Sequence, residues 1–160
     1  SIGNNHEVIN ENNLIVKAIS LLFPDYRIIK LIDRDDRSKE EISSLQREVQ
    51  NLKVLGMRSI ESYILDDEVI LKLCAVHDSI DKFDELMKAK EVALDESINR
   101  SNAIDDIKSA GGDYYLSIKR ILGLTKSGNT VIDFMLHTLT PLITEDMKVY
   151  KDLKKEIFDS

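Results

Sequence analysis

The chain has 160 residues, 42% of them hydrophobic and 32% charged, with a formal net charge of -7. That balance excludes a disordered polymer and fits a unit of domain size that can bury a core without disulfides. The single cysteine, Cys74, rules out a disulfide framework or a thiolate metal cluster built within the chain, and the acidic surplus argues against simple duplex-DNA binding while leaving metal-assisted phosphate chemistry open.

The opening Ser1-Ile2-Gly3-Asn4-Asn5 has no basic segment followed by an apolar one, so it is not a signal peptide. It lacks an initiator Met and reads as a start in mid-strand, which is expected of part of a longer protein. Asn4 and Asn5 can cap a helix in which Val8, Ile15, Ala18, Ile19 and Leu22 recur at helical spacing, with Pro24 past its end. Residues 27–32 are apolar without alternation, as in a parallel strand covered on both faces. Ser38 and Glu41 form a capping box for a helix reaching about Gln50, and Leu52-Lys53-Val54-Leu55 reads as a second short strand. Strand, helix and strand with short loops imply a right-handed parallel unit. Two strands, or three with a stub at Ser1–Gly3, make a thin sheet, so a further strand upstream is expected.

Beyond Met57 the pattern turns helical. Ile60, Tyr63 and Ile64 mark one turn, and Asp66 or Asp67 caps a helix with Val69, Ile70, Leu73 and Cys74 inward. A long charged helix follows, with Ile80, Phe83, Met87, Leu94 and Ile98 as its stripe; the spacing fits an internal packing face or the seam of a homodimer. Gly111-Gly112 is expected to break the pattern before a helix carrying Tyr115, Ile118, Ile121 and Leu122, which stops at Gly123. Thr130 to about Leu139 is helical, Pro141 interrupts, and Thr144 caps a last helix with Met147, Tyr150, Leu153 and Ile157 inward. The expected fold class is α/β: a small parallel sheet flanked by helices over residues 1–65, then an all-helical part over 66–160. No run of about 18 apolar residues occurs, so no membrane-spanning helix is expected, and the cysteine usage suits a reducing cytoplasm.

The stretch "LIDRDDRS" (31–38) concentrates the chemistry. Asp33, Asp35 and Asp36 crowd the end of an apolar strand, and such close carboxylates repel unless something positive sits among them. In open α/β sheets ligands bind beyond the carboxyl ends of the strands. Alternate residues of an extended segment point the same way, so Asp33 and Asp35 could share one hard cation, and Glu61 should emerge beside them from the neighbouring strand end. The competing reading is an ordinary turn and helix cap in which Arg34 and Arg37 neutralise the acids. An EF-hand is disfavoured, since its sixth and twelfth positions would be Ser38 and Ser44.

"LIDRDDRS" followed by "LKVLGMRSIESYILDDEVI" resembles the Toprim domain of the OLD (overcoming lysogenization defect) family and related nucleases fused to an ABC-type ATPase. "SIGNNHEVI" and the tail "GGDYYLSIKRILGL…LTPLITEDMKVYKDLKKEIF" extend the resemblance over most of the chain. It implies a partial Toprim (Rossmann-like) sheet, an ATPase upstream that alone binds ATP, DNA as substrate, and phosphodiester hydrolysis with Mg²⁺ or Mn²⁺ held by Asp33, Asp35 and Glu61. The family's first-strand glutamate has no counterpart, since that strand should precede Ser1, and Glu7 lies inside a helix. The family often uses a lysine in its helical extension; the slot after Gly111-Gly112 holds Asp113, with Lys108 or Lys119 as substitutes. Both departures imply that the chain alone is inactive or nearly so.

Two other functions compete. A phosphatase of the haloacid-dehalogenase type also places Asp-x-Asp after an apolar strand, but wants a Thr where this chain has Asp36-Arg37-Ser38. A degenerate Toprim could instead serve as a dimerisation or docking platform. His6, His77 and His137 lack metal spacing, Cys74 reads as core, and of Tyr114 and Tyr115, which could stack on bases, at least one is expected to fill core. Lys151, Lys154 and Lys155 read as a solvated face.

Overall fold

The computed structural model describes residues 18–19, 21–25 and 29–159. Residues 18–19 and 21–22 are helical; the start of that expected helix, the strand stub at Ser1–Gly3 and the first residues of the expected strand lie outside the described residues. Strand β1 (Lys30–Ile32) and strand β2 (Leu52–Val54) pair in parallel, with Lys30 opposite Leu52 and Ile32 opposite Val54. Helix α1 (Lys39–Glu48) makes the crossover. Its start is fixed as the sequence implies: Ser38 Oγ accepts from the Glu41 amide at 3.2 Å, and the Glu41 carboxylate accepts from the Ser38 amide at 2.7 Å. Ile32, Val49 and Leu52 are buried between helix and sheet, with Leu45 and Val54 against them.

The remainder is helical: α2 (Ile60–Ile64), α3 (Asp67–Val76), a 3₁₀ turn at Ile80–Lys82, α4 (Phe83–Asn99), α5 (Ile107–Leu122), α6 (Val131–Phe134) and α7 (Lys148–Phe158). Asp66 caps α3 by accepting from the Glu68 amide at 2.9 Å. Helix α5 ends at Gly123, whose φ of 64° is the left-handed geometry that glycine takes at least cost. Helix α6 continues as a π turn at Met135–Leu139 and a 3₁₀ turn at Thr140–Leu142 that carries Pro141. Gly128, at φ 61°, lies so close to α6 that an added Cβ would stand 2.7 Å from the Phe134 backbone nitrogen. The main core runs from Leu65 to Val149, with Tyr114, Ile118, Phe134 and Leu139 fully buried. The molecule is thus mixed α/β, mostly helical, with a two-stranded parallel sheet among the described residues.

Three local expectations change. Gly111 and Gly112 do not interrupt a helix; they lie inside α5. Two glycines cost a helix about 2 kcal/mol, yet α5 buries Ile107, Ala110, Tyr114 and Ile118, and that packing outweighs propensity. Gly111 is itself buried, with the Leu65 side chain 3.7 Å from where a Cβ would stand. On α4 the buried positions are Leu86, Ala93 and Ser97, whereas Ile80 and Ile98 are exposed. The buried face of the helix thus combines Leu86 with the small Ala93 and Ser97, while Phe83, Met87 and Leu94 of the expected stripe pack against the core at its edge. Thr144 does not cap the last helix either: its hydroxyl pairs with Asp146 at 2.6 Å, and Met147 occupies the cap position.

Helix α7 returns to the sheet. Glu156 accepts from the Gly56 amide at 3.0 Å and from the Tyr63 hydroxyl at 2.5 Å, and that same hydroxyl accepts from the Met57 amide at 2.9 Å. Lys53 donates to the Asp159 carbonyl at 3.2 Å. The end of β2 and the start of α2, where Glu61 sits, are therefore tied to the last helix of the chain.

Candidate functional site

The carboxyl ends of β1 and β2 lie side by side because the strands are parallel and in register. The loop after β1 is held to the loop after β2 by main-chain hydrogen bonds: Leu55 donates to the Ile32 carbonyl at 3.1 Å, and Asp35 to the Arg58 carbonyl at 2.9 Å. Into this junction helix α5 brings Lys108, one residue past its first. The Lys108 ammonium donates to Asp33 Oδ2 at 3.4 Å and lies 3.9 Å from Glu61 Oε1. The two acids are thus brought to one nitrogen. The other Asp33 oxygen accepts from the Ile60 amide at 3.1 Å, at the start of α2. The other Glu61 oxygen, Oε2, is buried without a hydrogen-bond partner.

Asp35 does not extend the alternation of β1. Its φ is 50°, so the chain has already turned, and its carboxylate pairs with Arg37 at 3.0 Å. Arg37 also donates to the Asp33 carbonyl at 2.9 Å, clasping the turn. Asp36 pairs with Arg58, whose guanidinium also meets Asp105 at 3.2 Å. Arg34 reaches the same Asp105 at 2.7 Å. Of the two arginines expected to neutralise the acids locally, Arg37 does so and Arg34 turns instead to the loop before α5. The positive charges among the crowded carboxylates are therefore Lys108 on Asp33 and Glu61, Arg37 on Asp35, and Arg58 on Asp36.

Electrostatics follow from these contacts. The field of Glu61, then that of Asp33 with its hydrogen bond and more weakly Asp35, raises the Lys108 ammonium above its ordinary range, against the opposing effect of partial burial. The hydrogen bond with Asp36 leads the causes that raise Arg58. Lys108 stays a cation throughout the physiological range, and its side chain is 56% exposed while that of Glu61 is 16% exposed. A half-exposed ammonium on a flexible stem can leave; the acid beneath it cannot.

Asp33 and Glu61 could hold a divalent ion, since Mg²⁺ commonly takes one or two protein carboxylates and completes its shell with water and phosphate oxygens. The buried, unpartnered Glu61 Oε2 fits a ligand that demands more than the lysine supplies. Among the described residues no set of three His, Cys, Asp or Glu side chains is arranged to hold a metal, which agrees with the outward turn of Asp35.

Lys108 and Asp105 are the residues whose roles sequence reasoning did not resolve. Asp106 followed by Ile107-Lys108-Ser109 was the available signal: Asp106 caps α5, accepting from the Ser109 amide at 3.0 Å, which puts Lys108 in the first turn. Reading Gly111-Gly112 as a break hid that start. The chain matches no protein-family model, no curated protein and no solved structure.

Proposed function

We propose that the chain is the Toprim-like, carboxyl-terminal part of a divalent-metal-dependent DNA nuclease, with Asp33 and Glu61 as the metal-facing acids. The observation that carries this reading is the meeting of Asp33 and Glu61 at one exposed ammonium, beyond the carboxyl ends of parallel strands, with Glu61 Oε2 buried and unpartnered.

The residues divide the work. Asp33 is aimed by the Ile60 amide, which fixes one oxygen and leaves the other to Lys108, the cation it shares with Glu61. Glu61, on the first turn of α2, is half enclosed, which keeps its charge poorly hydrated and its affinity for a cation high. A bound Mg²⁺ or Mn²⁺ supplies Lewis acidity and a water of lowered pKa. Lys108 neutralises the pair when no phosphate is present and can swing to a phosphate oxygen as charge builds there. Asp35 shapes the turn through Arg37, a positioning role at one remove from the substrate. An ATPase and the family's remaining glutamate belong upstream in this reading, and cleavage depends on them.

The test is nicking of supercoiled plasmid by the full-length protein in Mn²⁺. Asp33→Asn and Glu61→Gln should each abolish nicking, and Asp35→Asn should reduce it about tenfold or less, as for a group that orients the turn. Undiminished cleavage by Asp33→Asn would remove that residue from the mechanism.

A docking platform without catalysis is the second reading, favoured by the pairing of Asp33, Asp35, Asp36 and Asp105 with cations of the same chain. It predicts full-length protein that binds its partner unchanged when Asp33 and Glu61 are both neutralised.

A further inference from the structure

Beside the carboxylate pair lies a second feature that the hydrolytic reading leaves unused. Arg34, Arg58, Ser62, Lys90 and Asp105 line a cleft of about 380 Å³, with Leu94 and Ile107 among its apolar walls. The cleft adjoins the pair through the chain itself: Arg34 follows Asp33, Ser62 follows Glu61 and Ile107 precedes Lys108. Asp33 reaches Lys108, while the neighbouring Arg34 lines the cleft.

Three cations meet there. Lys90 is held in place by the Leu65 carbonyl at 2.8 Å and by Asp67 at 2.6 Å, and Arg58 is only 11% exposed. Two polar atoms of the lining, Arg34 Nε and Ser62 Oγ, are buried and have no hydrogen-bond partner. A guanidinium Nε can only donate, and a hydroxyl can donate as well, so both are suited to an acceptor entering the cleft. A buried donor left unmade carries a desolvation cost that a ligand which meets it recovers. Among the described lining residues the acid is Asp105, whose two oxygens lie on Arg34 at 2.7 Å and Arg58 at 3.2 Å, while Asp36 holds Arg58 from outside the lining. A carboxylate bridging two guanidiniums occupies the position that a phosphate would take.

We propose that this cleft is a phosphate-binding subsite that accepts one nucleotide unit, its oxyanion on Arg34, Arg58 and Ser62 and its sugar or base against Leu94 and Ile107, with Asp105 as a tethered competitor. The assignment of that nucleotide to a nucleic-acid strand rests on the hydrolytic reading; the phosphate chemistry does not. Such a subsite would hold a phosphate next to the one presented to Asp33 and Glu61, fixing the register of the strand.

The test is an NMR titration of the chain in metal-free buffer with EDTA, following backbone amides and the Arg Nε–H signals. The probes are thymidine 5′-monophosphate, a short oligothymidylate, inorganic phosphate and thymidine. The phosphate-bearing probes should shift Arg34 Nε–H together with the Ser62 and Ile107 amides, and thymidine should not. Arg34→Gln should weaken nucleotide binding about tenfold, as for a charge-assisted hydrogen bond, and Ser62→Ala about fivefold. Asp105→Asn should strengthen it about fivefold, because the competitor is neutralised while the guanidiniums stay. That gain is an outcome a misfolded variant does not give. Tighter binding of the oligomer than of the monophosphate assigns the subsite to a strand; the reverse supports the same subsite with a free nucleotide as ligand. Thymidine binding as tightly as its monophosphate, or unchanged affinity in Asp105→Asn and Ser62→Ala with intact spectra, overturns the proposal. Failure of the hydrolytic reading would leave this metal-free binding in place, whereas failure of the subsite would leave Asp33-dependent nicking in place.

Discussion

The sheet end and the helical body differ in how they are held. The helical body encloses a continuous core from Leu65 to Val149, in which Tyr114, Ile118, Phe134 and Leu139 have no measurable exposure. Among the described residues the sheet end has one small apolar cluster, Ile32, Val49 and Leu52, with Leu55 buried just past β2, and two short strands. Its loops are instead secured by charge and by polar contacts from elsewhere: Arg58 and Arg34 to Asp105, Lys108 to Asp33 and Glu61, and Glu156 to Gly56 and Tyr63. The lesson is that, among the described residues, the acids sit beside the smaller apolar cluster and are tied to the body through α5 and α7. A metal- or phosphate-responsive site gains from this arrangement, because polar clasps can rearrange at a cost that a packed core does not allow.

The comparison can be broken most severely in the body. Phe134→Ala, which empties a fully buried ring site tilted against Tyr115 at 5.2 Å between centroids, should cost about 3–5 kcal/mol in denaturant unfolding. Leu52→Ala in the small cluster should cost about 2–3 kcal/mol and, by hydrogen exchange, open β1 and β2 while α4 and α5 keep their protection. Equal loss of protection in both regions would show one cooperative unit and erase the distinction. Ser38→Ala removes the side-chain cap of α1 and should cost about 1 kcal/mol, confined to the sheet end. Alkali sharpens the contrast most gently. Burial raises the Tyr63 phenol well above its ordinary 10.0, helped by Glu156, and burial likewise raises Tyr114. Both groups therefore keep their protons in the folded chain after the unfolded chain has lost them. Their contribution is complete below about pH 10 and drains away as pH rises beyond it. Tyr63→Phe should flatten that decline, and chemical denaturation between pH 9 and 11 reads it.

Much of this was legible in the sequence wherever local chemistry decides. The Ser38–Glu41 box, the Asp66 cap, the Gly123 stop and the two short strands follow from residues a few positions apart. What was hidden is long-range. The resemblance offers Lys108 or Lys119 without choosing between them, and nothing near Asp33 in the chain announces that Lys108, 75 residues away, meets it, or that Arg34 and Asp105 pair across 71 residues. On α4 periodicity found Phe83, Met87 and Leu94, which pack against the core, but missed that Leu86, Ala93 and Ser97 are buried and that Ile98 is exposed. The expectation that Asp33 and Asp35 point together assumed an extended segment, and the left-handed turn at Asp35 removes that premise.

If Asp33 and Glu61 act as one anionic site, their countercharge, Lys108, gives way to a divalent ion. Mn²⁺ titration followed by electron paramagnetic resonance tests it most directly, comparing the unaltered chain with Lys108→Met. Removing the ammonium should tighten Mn²⁺ binding about tenfold, and adding Asp33→Asn should abolish the gain. Equal Mn²⁺ affinity with and without Lys108, or a gain that survives Asp33→Asn, would contradict the account.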